Sequence, residues 1–421
     1  MRRWLAPVLV LSVVMPGLAA VGPAQLTALE AQVAAIRGLS FLHPVPCQEI
    51  SREEVIQNLK GEIDRETNFV EYAAFLKAFG FVADDFNVRD AMQGLYGEQV
   101  GGYYDPRTGR FFIVAGGGLP ADAQAEAAGL GISMEDITVS HELTHALQDQ
   151  HFNLLRIESS VDQGTEDQKL AVSSLFEGDA TAVMIEQPFK KMGIDTSLLA
   201  GMGGLSSMME ENAVGQGGQF PNFEKAPLYF KRAMMFPYVQ GFAMISSLRQ
   251  RGGWEAVNQK YAHLPASTEE VLEGGLTLPP SPPLQFEPLA GWSAVTHGTL
   301  GAYLFGVWCE RFVPEHPPAD HAEHWRADRY EVLTQGHQRM LRWASRWEDE
   351  QAASTAWEAL KTGFATRHPG LSWRPDGVNR LRWTAPNGSC TELVRQAAQV
   401  EVVDGAPADA IEGALRLQRL P

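Results

Sequence analysis

His141-Glu142-Leu143-Thr144-His145 decides how the rest of this 421-residue chain is read. In a helix, residues i and i+4 stand about 40° apart around the axis, because each residue turns ~100°. The imidazoles of His141 and His145 therefore share a face and can converge on one zinc ion. Glu142 points to the side of that face. From there it can take a proton from a water whose pKa the metal has lowered to about 7. The pattern supplies two ligands and a general base for attack on a carbonyl.

The flanking residues place the motif on a helix. Ser133 with Asp136 reads as an N-terminal cap, and Met134 to Phe152 contains neither Gly nor Pro. Val139, Leu143, Ala146 and Leu147 form one apolar face. His141 and His145 lie nearly opposite, flanked by Gln148. Such a helix is expected to bury its apolar face and turn the histidines toward a polar cleft.

A site of this type needs a third protein ligand. His151 is one candidate, ten residues after His141, but an uninterrupted helix would set it ~15 Å along the axis from His141. The spacing that brings such a histidine back has a glycine where this chain has Gln148. Glu177, in Leu175-Phe176-Glu177-Gly178-Asp179-Ala180, is the stronger candidate. Thr165 and Gln168 can cap a second helix, on which Leu170, Ser173, Ser174, Glu177, Thr181 and Met184 share a stripe. Gly178 inside a helix costs about 1 kcal/mol against Ala. A close approach of the two helices at the metal would explain it. The alternative for Glu177 is an ordinary exposed carboxylate. Asp179 faces away from Glu177 and is a candidate, with Asp149, for orienting a neighbour of the ion.

These residues carry a resemblance. His141 to Ala146, with Asp149 following, looks like the thermolysin motif. His141-Glu-Leu-Thr-His-Ala-Leu-Gln-Asp-Gln-His-Phe152 followed by Glu177-Gly-Asp-Ala resembles a group of secreted bacterial HExxH zinc metallopeptidase-like proteins of gluzincin type. Gln99-Val-Gly-Gly-Tyr-Tyr-Asp105, Phe236-Pro-Tyr-Val-Gln-Gly241, Gly252-Gly-Trp-Glu-Ala-Val-Asn258, Ser267-Thr-Glu-Glu270 and Asp328-Arg-Tyr330 extend it through most of the chain. The resemblance implies a gluzincin-like zinc peptidase core with His141, His145 and Glu177 as ligands and Glu142 as base.

Pro237-Tyr238-Val-Gln-Gly241 is similar to the Pro-Tyr-x-x-Gly segment of the aminopeptidase N family, where the tyrosine hydroxyl donates to the tetrahedral oxyanion. Charge that develops on a carbonyl oxygen needs a fixed donor. Tyr238 is thus a catalytic candidate, and a packed tyrosine at a helix start is the alternative. His297 is the second candidate donor. The chain lacks a Gly-x-Met-Glu-Asn segment upstream of His141, and the gap from His145 to Glu177 is longer than in that family. Aminopeptidase specificity is therefore not implied.

Composition sets outer bounds. Against 34 basic residues stand 51 acidic ones, a net charge of −17, which argues against nucleic acid or an anionic membrane as the main partner. Residues 1–22 read as a signal peptide: Arg2 and Arg3, an apolar run from Leu5 to Ala20, then small residues. As a signal peptide they would place the mature protein in the cell envelope, the periplasm or outside the cell; an uncleaved membrane anchor is the alternative. No later run is long enough to span a bilayer. An exported chain with Cys47, Cys309 and Cys390 is expected to pair two of them, Cys309 with Cys390.

The expected fold is α+β and helix-rich. A zincin-like catalytic region spans 23–280 with helices at its start, and a smaller α+β region spans 290–421. Five prolines between 279 and 288 separate them. Helices are expected over 24–38, from Ser51 through Phe79, over 234–250 from Pro237, over 293–312 and over 346–367. Gln99–Tyr104 and Arg110–Val114 form an edge hairpin. Short strands are expected at 330–333, 381–383 and 400–403, a turn at 116–118, and a flexible loop over 194–226. His316, His321 and His324 read as a solvated turn, with a second metal site as the rival. The expectation is a zinc-dependent hydrolase of peptide or protein substrates. Its rivals are a non-catalytic envelope scaffold and a hydrolase of non-peptide amides or esters.

Overall fold

The computed structural model describes residues 22–65, 69–99, 101–114, 133–193, 221–313 and 322–418. Pro23 opens helix α1 (Pro23–Arg37), where a fixed φ and a missing N–H cost nothing, and Gly38 closes it at φ 73°. Strand β1 (Cys47–Ile50) follows. Ser51 and Glu54 then cap α2 (Arg52–Arg65) reciprocally, each accepting the other's backbone N–H. The single helix expected through Phe79 is described as α2 and α3 (Phe69–Ala78). After α4 (Val88–Gln99) comes the expected hairpin, β2 (Gly102–Asp105) and β3 (Arg110–Val114). Strand β1, which the sequence reading missed, pairs in parallel with β3 and gives the order β1-β3-β2. Among the described strands β2 is therefore an edge.

The histidine helix α5 (Met134–Phe152) begins as expected, with Ser133 Oγ accepting the N–H of Asp136. Asn153, at φ 58°, ends it and caps α6 (Leu154–Val161). Thr165 caps α7 (Glu166–Lys191), with acids in the first turn and lysines in the last, as the helix dipole favours. The expected flexible loop needs correction at one end. Residues 221–225 form helix α8 (Pro221–Lys225), and Glu98 accepts the N–H groups of Asn222 and Phe223 at its start.

Helix α9 (Leu228–Ala262) is longer than expected, and Pro237 lies inside it instead of opening it. A proline there removes a hydrogen bond and crowds the preceding turn. Buried Tyr229, Phe230 and Phe236 before it, and Tyr238, Val239 and Phe242 after it, show that packing carries the helix through. The helix breaks later, at Gly252 and Gly253.

Helix α10 (Thr268–Leu272) precedes the proline-rich stretch. The helix expected over 293–312 is only half helix. Ser293–Gly298 is β4, paired with β5, and Gly301–Phe312 is α11. Then come β5 (Trp325–Gln335), β6 (Gln338–Trp347), α12 (Glu350–Arg367, capped by Asp349), β7 (Arg374–Pro375), β8 (Arg380–Thr384), β9 (Ser389–Gln396), β10 (Gln399–Pro407) and α13 (Ile411–Ala414). The strands form one antiparallel sheet, order β4-β5-β6-β10-β9-β8-β7. The fold is thus α+β, with a mostly helical first part and a sheet-rich last part.

Phe75 of α3 and Phe79 and Phe81 just after it share a core with Trp308, Tyr330, Trp343 and Leu360. Cys309 is buried in that core and Cys390 in another, and all three cysteines are free. The expected Cys309–Cys390 disulfide is therefore not formed: separate hydrophobic clusters hold the two thiols. No described helix is long and apolar enough to cross a membrane.

Candidate metal site

Helix α5 buries the face read from the sequence. Val139, Leu143, Ala146 and Leu147 are wholly buried against Leu29, Val33 and Ile36 of α1, Tyr104 and Phe111 of the hairpin, and Val183 of α7. The opposite face meets α7. His141 Nε2 lies 3.2 Å from Glu177 Oε2, His145 Nε2 3.5 Å from the same oxygen, and the two Nε2 atoms are 3.0 Å apart. Among the described residues these three side chains are the one group of His, Cys, Asp and Glu able to hold a metal ion together. A tetrahedral ion with bonds of about 2.0–2.1 Å spaces its ligands about 3.3–3.4 Å apart. The observed separations fit it, and two imidazoles with one carboxylate are a donor set that suits zinc.

The face expected to meet a polar cleft is buried: His141, Glu142 and His145 are at most 1% exposed and Glu177 is 6%. Burial lowers the pKa of His141. Burial also pulls on His145, but the Glu177 charge and its hydrogen bond outweigh it, and the net shift is upward. For Glu177, burial pushes the pKa up and the two histidines more than reverse it, so the carboxylate stays ionised.

Glu142 is held by the edge strand. The Tyr104 backbone N–H donates to Glu142 Oε2 at 2.9 Å, and the Tyr104 hydroxyl donates to Asp149 Oδ2 at 2.9 Å. One residue of β2 is thus fastened to α5 at two points, one of them the candidate base. Asp149 also accepts the Leu154 N–H and touches no ligand. Its link to Glu142 runs through Tyr104. Sequence reading could not find this bond, because a backbone donor has no residue-type signature.

Tyr238 reaches the site. Its ring centroid is 6.1 Å from that of His141, and the Glu177 carboxylate is one of its charged neighbours. Burial, then the charges of Glu177 and Glu142, raise its pKa well above the ordinary phenol value, so it keeps its proton and remains a donor. The crossing of α7 and α9 that brings it there has a steric cause. A Cβ on Gly178 would stand 2.2 Å from the backbone of Gly241, and one on Gly241 2.3 Å from the Ser174 carbonyl. Gly178 therefore serves a close helix approach, as expected, but its partner is α9 and not the histidine helix.

Other candidates fall elsewhere. His151 donates to or accepts from nothing at the site; its Nε2 meets the Ser40 carbonyl at 2.8 Å. Asp179 pairs with Arg37 and Tyr261, away from the ligands. His297 sits on β4, where burial lowers its pKa and Arg329, Glu331 and Glu71 are its charged neighbours. His324 pairs with Glu348, while His316, His321, the signal segment and the turn at 116–118 lie outside the described residues. Gln148, read from sequence only as a flank, bonds His145 directly. Its position one turn after a ligand is the signal that could have found it.

No family model, no curated protein and no solved structure matches this chain. The gluzincin resemblance accordingly rests on the motif residues themselves.

Proposed function

We propose that the protein is a zinc-dependent peptidase with a gluzincin-like active site, acting outside the cytoplasm. The observation that carries this reading is the convergence of His141, His145 and Glu177 with the Glu142 carboxylate beside them. Bound zinc would supply Lewis acidity toward a substrate carbonyl and toward water. Glu142 needs no place among the ligands; as base it takes the proton of the attacking water and returns it to the leaving nitrogen. Tyr238, whose ring lies beside that of His141 and whose hydroxyl stays protonated, would donate to the oxyanion as charge develops.

The second reading is a non-catalytic envelope protein on the same scaffold. The near-complete burial of all four acid and imidazole side chains favours it. Two substitutions separate the readings. Glu142→Gln keeps size but removes the base, so zinc should remain while cleavage of a peptide library falls by about 10²–10⁴. Tyr238→Phe removes only the hydroxyl, and kcat should fall by about 10²–10³ with little change in KM. Zinc-loaded wild type that cleaves no peptide in a broad library supports the second reading.

A further inference from the structure

We infer that Gln148 is the positioning residue of this metal site, fixing the tautomer of His145 and tying the two ligand helices together. The inference rests on the metal-binding part of the proposed function.

The local geometry determines which end of the amide faces which neighbour. Gln148 lies on α5, one turn beyond His145, and is 1% exposed. One end of its side-chain amide is 3.0 Å from the Phe176 carbonyl. A carbonyl only accepts, so that end is the NH2 group. The other end, the oxygen, then faces His145 Nδ1 at 2.9 Å. An amide oxygen only accepts, so Nδ1 must carry the proton. The remaining nitrogen, Nε2, is left with its lone pair, and it is the atom that faces His141 and Glu177. A metal ligand requires that tautomer. A flipped amide would set NH2 against a ring N–H or oxygen against the Phe176 carbonyl, so the network excludes it.

Phe176 immediately precedes Glu177. Gln148 therefore reaches from the ring of one ligand to the backbone beside another, across the α5–α7 contact. His141 has no such support: its Nδ1 is buried without a hydrogen-bond partner among the described residues. The histidine pair is thus oriented through His145, and Gln148 is the group that orients it.

The test uses the full chain as wild type, Gln148→Met and Gln148→Glu. Methionine keeps the length and removes both hydrogen bonds. Glutamate keeps the acceptor for Nδ1–H and removes the donor to Phe176. Zinc affinity is read by competition with a chromogenic chelator, the ring tautomer by 15N NMR of the metal-free protein, and folding by urea denaturation. Gln148→Met should bind zinc about 10–100-fold more weakly, and the His145 signals should move from pure Nδ1–H toward a mixture. Gln148→Glu should keep the Nδ1–H tautomer and bind zinc more tightly than Gln148→Met. Gln148→Met with wild-type affinity and tautomer overturns the inference and leaves the metal site standing. Gln148→Glu with a mixed tautomer overturns it as well, even where Gln148→Met does not fold. Wild type that binds no zinc overturns the metal site and the inference together.

Discussion

Helix α7 carries two buried carboxylates two residues apart, and their surroundings differ in kind. Asp179 faces a fixed cation. Arg37, wholly buried at the end of α1, donates to it at 2.7 Å, and the Tyr261 hydroxyl donates at 2.8 Å. Arg37 is itself held by Asn258 and lies over the Trp254 ring. Glu177 faces two imidazoles and a phenol, and no Lys or Arg is among its described ion-pair partners. A buried charge costs several kcal/mol unless it is paired. On the Asp179 side the protein supplies the partner from its own chain. On the Glu177 side it gathers three donor atoms around a point and leaves the positive charge to come from elsewhere. The same helix thus has a closed electrostatic face that holds α1 and α9 in place and an open one that suits a metal.

The largest effect expected from this contrast is on stability. Arg37→Met leaves Asp179 buried and uncompensated, and should cost about 3–5 kcal/mol in urea unfolding of the metal-free protein. Molecules that stay folded should still bind zinc, because Arg37 touches no ligand. A loss under about 1 kcal/mol, small for a buried ion pair, would mean that Asp179 is not closed in the way described.

A smaller effect sharpens the comparison at the other end of α7. Asp167, in its first turn, is also buried with no cation among its described partners, bonded instead to the Thr268 N–H and hydroxyl. Burial raises its pKa to about 7, with the nearby Asp328 adding to the shift. Unfolded, it titrates near about 3.9. The native state therefore holds the proton more tightly. The stability this confers is full below the unfolded pKa and is lost as pH rises through about 7, with a slope of at most about 1.4 kcal/mol per pH unit. Asp167→Asn removes the titration. The stability of wild type relative to Asp167→Asn should thus fall between about pH 4 and pH 7, followed by urea midpoints at several pH values. A difference that does not change with pH would show that Asp167 is ionised in the folded protein throughout that range.

The metal motif was legible because its signals are local. Ser133 and Thr165 cap the two helices, and i, i+4 spacing puts both histidines on one face. Glu177 followed from the same logic applied to a second helix. What escaped the sequence reading is non-local. Strand β1 depends on pairing with β3, more than sixty residues away by register from Cys47 to Phe111. Strands β6 and β9 are buried on both faces along much of their length, so polar and apolar residues do not alternate cleanly. Ser293–Gly298 has no strong strand composition and is a strand because β5 pairs with it. Helix α9 runs through Pro237 because aromatic packing on both sides holds it. The partner of Gly178 was misread for a related reason: a glycine shows that something comes close, but not which element it is.

The central claim is that two helices deliver three ligands to one zinc ion, and elemental analysis of the dialysed protein tests it most directly. Wild type and His151→Ala should each carry one zinc per folded chain, whereas Glu177→Ala and His145→Ala should carry none. Stoichiometric zinc in folded Glu177→Ala, or zinc lost in His151→Ala alone, would contradict the account.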